Sequence, residues 1–283
     1  MSYLTHPLRS CRMRSVASAG ILLLALLLPA YSAGQGLIRS AGATSPRLDV
    51  HYVPTPHEVV QRMLEMVEVQ PDDYVVDLGS GDGRIVIAAV RDWNVRRALG
   101  IDLDPERVAE ARENAREAGV ADRAVFEEGN IFEKDFSDAT VVTMYLLSSL
   151  NRRLQPIILE RMAPGTRIVS HAFDMGEWEA DQHDSLDGRN VYMWIVPARV
   201  EGRWQLRTSN GNETTLSIEQ TFQKIEGRAV GGGASIPLAD ATLRGDEIAF
   251  SIGADRYVGK VDGDTIVPLQ RPGSVQGWQA RRS

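Results

Sequence analysis

Tyr74-Val-Val-Asp-Leu-Gly-Ser-Gly-Asp-Gly-Arg84 decides the fold. Its β-branched opening, Tyr74 to Val76, reads as a buried parallel strand. The strand ends on Asp77 and breaks into Gly79, Gly81 and Gly83, after which Arg84-Ile-Val-Ile-Ala-Ala-Val90 starts an apolar run of helical length. Strand, glycine turn and helix form the crevice in which open α/β sheets hold nucleotide-like ligands. Glycine suits such a turn because the missing Cβ permits positive φ and close approach of a ligand to the backbone. In a dinucleotide fingerprint counted from Gly79 the sixth position is a third glycine that lets helix and strand pack closely. Here that position is Arg84, which argues against NAD.

Outward from this stretch the pattern is β–α alternation. His57 to Val69 carries Val59, Val60, Met63, Leu64 and Val67 at helical spacing behind Pro56. Strands are expected over 98–102, 124–128, 140–145 and 167–171. Helices are expected over 105–118, with Pro105 in the first turn and Gly119 as the stop, and over 151–162 before Pro164-Gly165. This implies a Rossmann-like α/β sheet, largely parallel, with helices on both faces. Residues 191–196 read as one antiparallel closing strand. From Gly202 onward helical periodicity is absent. Short alternating runs sit between Ser209-Asn-Gly, Gly231-Gly-Gly, Arg244-Gly-Asp and Asp262-Gly-Asp turn signals, as in a small all-β meander or barrel. The expected division is a domain over 51–200 and a second over 201–283.

The first 34 residues stand apart. Arg9, Arg12 and Arg14 precede an apolar stretch from Val16 to Ala30, and small residues follow at Ala30, Ser32, Ala33 and Gly34. That is the layout of a secretory signal peptide, followed by a small, polar linker over 35–50. The apolar core is short against the roughly 20 residues of a membrane span. An uncleaved anchor is the alternative, and the leader is then the only membrane contact. The single cysteine, Cys11, lies in the leader, which excludes a disulfide framework or a cysteine metal site in the mature chain. The five histidines are scattered with no ligand-pair spacing, so no metal is expected. Net charge is −7. Residues 35–200 carry 18 basic and 28 acidic side chains, whereas 201–283 carry ten of each. An acidic surface repels phosphate backbones, so nucleic acid is not an expected partner.

The acidic-x-Gly-x-Gly-x-Gly spacing resembles motif I of class I S-adenosylmethionine (SAM) methyltransferases. His51-Tyr-Val-Pro-Thr-Pro-His-Glu-Val-Val60, Ala139-Thr-Val-Val-Thr-Met-Tyr-Leu-Leu147 and Pro164-Gly-Thr-Arg-Ile-Val-Ser-His171 narrow the likeness. Together they resemble the archaeal broad-specificity protein lysine methyltransferases and the mitochondrial ATP-synthase c-subunit lysine methyltransferases, over about residues 50–197. The resemblance implies a SAM cofactor, and it implies that Tyr52 and Thr55 fold over the cofactor near its methyl group. The leader and the β domain depart from that pattern.

For SAM, the glycine-loop backbone with Ser80, and the Asp77 carboxylate, suit the amino-acid end. Asp102, 23 residues after Gly79, is placed to accept both ribose hydroxyls, with Asp104 the better N-cap before Pro105. Asn130 suits the adenine edge and Ile131 its face. Tyr145 can border the acceptor channel and hold a cation on its ring. His171 and Asp174 follow the fifth strand, where they serve either as a proton relay or structurally. No Asn/Asp-Pro-Pro-aromatic motif follows 140–145, which argues against methylation of planar nitrogens. Three readings remain: an N-methyltransferase acting on protein lysine, a small-molecule methyltransferase, and an exported SAM-binding module without catalysis. Oligomeric state is not readable. If residues 1–34 are a cleaved leader, cell fractionation places the protein in the periplasm or envelope with its N-terminus between Ala33 and Gln35. Full-length protein in the cytoplasm overturns that expectation.

Overall fold

The structure, a computed structural model, describes residues 52–283; the expected leader and linker lie outside them. All described residues fall within one compact unit that contains two sheets. The first sheet has seven strands. Its parallel part comprises β1 (Tyr74–Leu78), β2 (Arg97–Asp102), β3 (Ala124–Glu128), β4 (Val141–Met144) and β5 (Arg167–His171). Beyond β5, β7 (Arg189–Ile195) runs antiparallel and pairs in turn with β6 (Gln182–Leu186), giving the order β3-β2-β1-β4-β5-β7-β6. The order reverses between β1 and β4, where an α/β sheet opens its binding crevice.

Alternation along the strands fills two cores. Val75, Val141 and Val169 point to the face covered by α1 (His57–Met66), α2 (Arg84–Asp92) and α3 (Pro105–Glu117). Val76, Leu78, Val142, Met144 and Ile168 point to the other face, against Leu150, Leu154 and Ile158 of α4 (Ser148–Arg161). Phe136, Met175 and Trp178 from irregular segments complete that second layer. Asp104 caps α3 by accepting from Glu106 N at 2.9 Å, as its spacing predicts.

Two differences from the expected elements have a physical cause. Helix α4 starts at Ser148, three residues early, because Leu147 and Leu150 join the crevice wall and the core. Strand β6 was not expected: Gln-His-Asp-Ser-Leu carries no apolar alternation and is ordered by main-chain pairing at the sheet edge.

The second sheet has nine antiparallel strands: β8 (Gly202–Thr208), β9 (Glu213–Thr221), β10 (Lys224–Gly231), β11 (Ala234–Pro237), β12 (Ala239–Arg244), β13 (Glu247–Ile252), β14 (Asp255–Asp262), β15 (Thr265–Pro268) and β16 (Trp278–Arg282). Strand β16 joins the two halves by pairing with both β8 and β15. The curl is nearly a barrel: at its open edge Leu238 N donates to Gly227 O at 2.9 Å. Trp204, Phe250, Tyr257 and Trp278 fill its interior. Strands β11 and β12 were missed in sequence because they are short and largely exposed, and β15 because four residues with one buried side chain make no stripe. Gln220 ties β9 to the connector that follows β7: its amide accepts from Val200 N at 2.7 Å and donates to Ala198 O at 2.9 Å.

Gly83 shows why the opening stretch folds as it does. Its φ is +82°, and a Cβ there would stand 2.6 Å from the Phe126 ring and 2.9 Å from Ala111. Gly83→Ala combines a left-handed L-residue with overpacking and is expected to cost about 2–4 kcal/mol. Urea unfolding measures this; an unchanged midpoint would show that the turn relaxes freely.

Candidate active site at the β1–β4 switch point

A cavity of about 420 Å³ opens at the C-terminal ends of the parallel strands, within the range of small-molecule sites. It gathers Tyr52, Thr55, Asp77, Gly79, Ser80, Gly81, Asp102, Asn130, Ile131 and Tyr145. Of the residues expected at the site, Gly83 is not on the wall. Its role is to let α2 pack on Phe126 and Ala111.

The loop's hydrogen bonds reveal what it can bind. Gly79 N and Ser80 N both donate to Ile101 O, at 2.8 and 3.1 Å. Gly81 N donates to Asp102 Oδ2 at 2.8 Å, and Gly83 N donates to Ser80 O at 2.9 Å. These amides are spent on the protein. The first amide of α2, that of Arg84, donates to Asp82 Oδ1 at 3.2 Å. A pyrophosphate site needs free N–H groups at a helix N-terminus; this loop has the Asp82 carboxylate there instead. Ser80 contributes backbone only. Its hydroxyl is buried, and it has no hydrogen-bond partner among the described residues.

Asp77 lies beside Thr143 in register, and the Thr143 hydroxyl donates to it at 2.7 Å. It is 2% exposed. Burial pushes its carboxyl up to about 7, with Asp102 and Asp82 adding to the effect against the Thr143 bond. A buried carboxylate without a cation fits a cationic head group. Asp102 accepts from Gly81 N and, through Oδ1 at 3.0 Å, from Asp104 N. Each oxygen keeps a lone pair for a diol. Asn130 is more committed than its position suggests: Oδ1 accepts from Phe132 N at 3.1 Å, and Nδ2 donates to Glu133 at 2.8 Å. That turn aims Ile131 and Phe132 at the cavity as apolar cover.

The segment 52–55 closes the site. The Tyr52 ring lies against Gly81, with the Arg107 guanidinium 4.9 Å from its centroid. Burial, and then the Asp82 carboxylate hydrogen-bonded to it, raise the Tyr52 hydroxyl above its ordinary range. Arg84 is the clamp that sequence reasoning missed. Its Nε donates to both Asp82 oxygens at 3.0 Å, and its Nη1 donates to Thr55 O at 2.8 Å. Burial opposes ionisation of Asp82, but Arg84 outweighs it and holds the carboxyl below its usual range. The signal was in the sequence: an acid and an arginine two apart in the turn where a third glycine was looked for.

On the β4–β5 side the wall becomes aromatic. Tyr145 packs on His171 at 4.0 Å between ring centroids and on Phe173 at 6.3 Å. His171 is buried, its Nδ1 3.3 Å from Thr55 Oγ1, and burial lowers it to about 4, so it is neutral and structural. Asp174 is exposed, lies off the cavity wall and accepts from Gly176 N at 3.1 Å. Leu103, Phe132, Leu146, Leu147, Leu150 and Phe173 were also missed. They follow strand ends singly, where an apolar residue carries no distinctive spacing.

Comparison with known proteins agrees with this geometry. Residues 77–182 match the model of the ANTKMT methyltransferase domain. A protein-lysine N-methyltransferase of Saccharolobus islandicus is 46% identical over 52% of this chain and 94% of its own length. The mouse adenine nucleotide translocase lysine N-methyltransferase is 32% identical over 47% of this chain; the match spans 57% of that relative's length. A solved structure described as an RNA methyltransferase from Salinibacter ruber, in complex with S-adenosyl-L-homocysteine, is 53% identical. It aligns with a TM-score of 0.51 over 52% of this chain and 96% of its own. The Saccharolobus and Salinibacter proteins are thus matched almost end to end by about half of this chain, which leaves them no room for the barrel.

The raised Asp77 has a consequence in pH. A carboxyl whose folded pKa exceeds its unfolded value stabilises the free protein below about 4, and that contribution is lost as pH rises through about 7. A ligand ammonium favours the ionised form. Affinity for S-adenosylhomocysteine is therefore expected to rise with pH, by up to about tenfold per unit, and to level off above about 7. Asp77→Asn should bind weakly with a flat profile. Calorimetry across pH 5 to 9 checks this, and a flat wild-type curve would detach Asp77 from the ligand.

Proposed function

The chain belongs to the class I SAM-dependent methyltransferases, in the family of the archaeal protein-lysine N-methyltransferase, and on that premise we propose that its acceptor is a protein lysine. One observation carries the proposal. From β3 to β1 the cavity offers Asn130, Asp102 and Asp77 to the cofactor, and across the switch point the wall turns to Tyr145 and Phe173. No carboxamide follows Tyr145 in sequence to hold a planar nitrogen; the residues after it are Leu146 and Leu147. SAM supplies a methyl group on a sulfonium. Asp77 balances its ammonium, Asp102 takes the ribose diol, and Leu103, Ile131 and Phe132 cover the adenine.

The attacking amine must be neutral, and lysine has an unperturbed pKa near 10.4. A desolvating, aromatic channel lowers that value, while the Tyr145 face keeps a cation in register. Transfer then needs alignment more than a strong base. Nitrogen gains the methyl, sulfur keeps the electron pair of the broken bond, and the amine proton leaves to water. The segment 52–55, held by Arg84, excludes solvent from this step.

An RNA acceptor is the competing class, named for the Salinibacter structure. The acidic balance of residues 35–200 and the Asp82, Asp102 and Asp104 carboxylates at the cavity speak against it. The exported location belongs to the proposal as well, and envelope proteins are then the substrates within reach.

Methyl-labelled SAM incubated with the protein and, in parallel, envelope protein, total RNA and a small-molecule extract separates the readings. Label is expected on lysine Nζ; label confined to RNA or to small molecules overturns the proposal. Tyr52→Phe keeps the ring on Gly81 but removes the hydroxyl from the Asp82 side of the cavity. Turnover is expected to fall at least about tenfold, or 1.4 kcal/mol in the barrier, with SAM affinity changed less.

A further inference from the structure

We propose that the C-terminal barrel is a positioning element for the acceptor side of the cavity, acting through Phe222 and Trp178 on the segment that carries Phe173. The proposal rests on the methyltransferase reading for its kinetic consequence but not for its structural one.

Phe222 sits in the tight turn between β9 and β10, yet its ring packs with the second core layer of the first sheet. It stacks on Trp178 with 6.1 Å between centroids and 19° between planes. Its φ is +55°, a left-handed backbone that is an outlier for a bulky residue and persists only where the surroundings demand it. Gln223 adds a directed bond, its Nε2 donating to Glu179 O at 2.8 Å. The Lys224–Glu179 ion pair at 2.7 Å is exposed on both sides and contributes little.

Trp178 is fully buried, and its indole N–H has no partner among the described residues. Ring packing against Phe222 and Trp194 therefore orients it. Trp194 Nε1 donates to Trp178 O at 2.8 Å, which pins the far end of the segment to β7. The near end leaves β5 through a second strained residue. Ala172 has φ +66°, and Phe173 N donates to His171 O at 2.9 Å, a three-residue turn of the rare left-handed kind. Asn151 and Ser170 then hold Phe173 O from below, at 3.0 and 2.7 Å. The result is a short strap, 172–179, anchored at β5 and β7 and buttressed by the barrel at its far end, with Phe173 against Tyr145 on the cavity wall. The two relatives matched end to end lack the barrel, so in this chain the strap has a support they do without.

The test compares the full chain with Phe222→Ala, Phe222→Tyr and Gln223→Ala. Hydrogen exchange of peptides over 172–181 is expected to quicken at least about fivefold in Phe222→Ala while that over 79–84 stays protected. Affinity for S-adenosylhomocysteine should hold within about twofold. With envelope protein as acceptor, KM for the acceptor should rise and KM for SAM should not. Phe222→Tyr, which keeps the ring, should restore both. Unchanged exchange over 172–181 overturns the proposal, as does an equal loss for cofactor and acceptor. If Phe222→Ala does not fold, Gln223→Ala is read in the same way. If the wild-type chain transfers no methyl group, the functional reading falls, and the exchange measurement alone still decides the strap.

Discussion

Five residues must carry the chain from the buried end of β1 to the first turn of α2, and three of them do so at positive φ: Gly79 at +81°, Gly81 at +51° and Gly83 at +82°. That backbone path is the constraint on which the site depends. It turns the loop amides inward onto Ile101 and Asp102, so β2 and the loop are locked together before any ligand arrives. It also leaves Asp82 to accept from the first amide of α2, that of Arg84. Arg84 can then reach back to Thr55 O, so the turn that shapes the floor of the cavity also holds its cover. A side chain at any of these glycines would meet Leu146, Tyr52 or Phe126.

The polar groups of the cavity are arranged for a ligand with positive charge. Asp77, Asp82, Asp102 and Asp104 face Arg84 and Arg107. They are not equivalent. Asp82 is neutralised by Arg84, Asp104 is spent on a helix cap, and Asp102 is half-satisfied by backbone amides. Asp77 alone is buried with only a hydroxyl for company and is held near neutrality by desolvation. The cost of burying it is offset when a cation binds, which turns an unfavourable group in the free protein into a selective one in the complex.

The barrel repeats the theme of strain held by packing. Left-handed backbone at Ala172 and Phe222 costs of order 1–3 kcal/mol each. The stacked Trp178–Phe222 pair and the Trp194 bond to Trp178 O supply the opposing interactions. Neither strained residue touches the glycine loop. The two sides of the cavity are thus built by different means: the side at β1 and β2 by local turn geometry, the side at β4 and β5 by contacts between elements far apart in sequence.

What the sequence determined by itself follows from that division. Glycine spacing, the acid at the end of β2 and alternating β–α periodicity are local signals, because backbone sterics and strand period act over a few residues. They specified the parallel part of the first sheet and the β character of the second half, and they pointed to Asp77, the glycine loop and Asp102, which line the cavity. Gly83 stands off the cavity wall, because a positive φ needed for packing reads the same in sequence as one needed for a ligand. Strands β6, β11 and β12 stayed hidden, since main-chain pairing at sheet edges leaves little pattern in the side chains, and β15 is only four residues long. Only the tertiary structure decided that Arg84 clamps Thr55, that His171 is buried and neutral, and that Phe222 stacks on Trp178. Each of these joins residues dozens of positions apart, and a pairing of that kind exists only once two elements have docked.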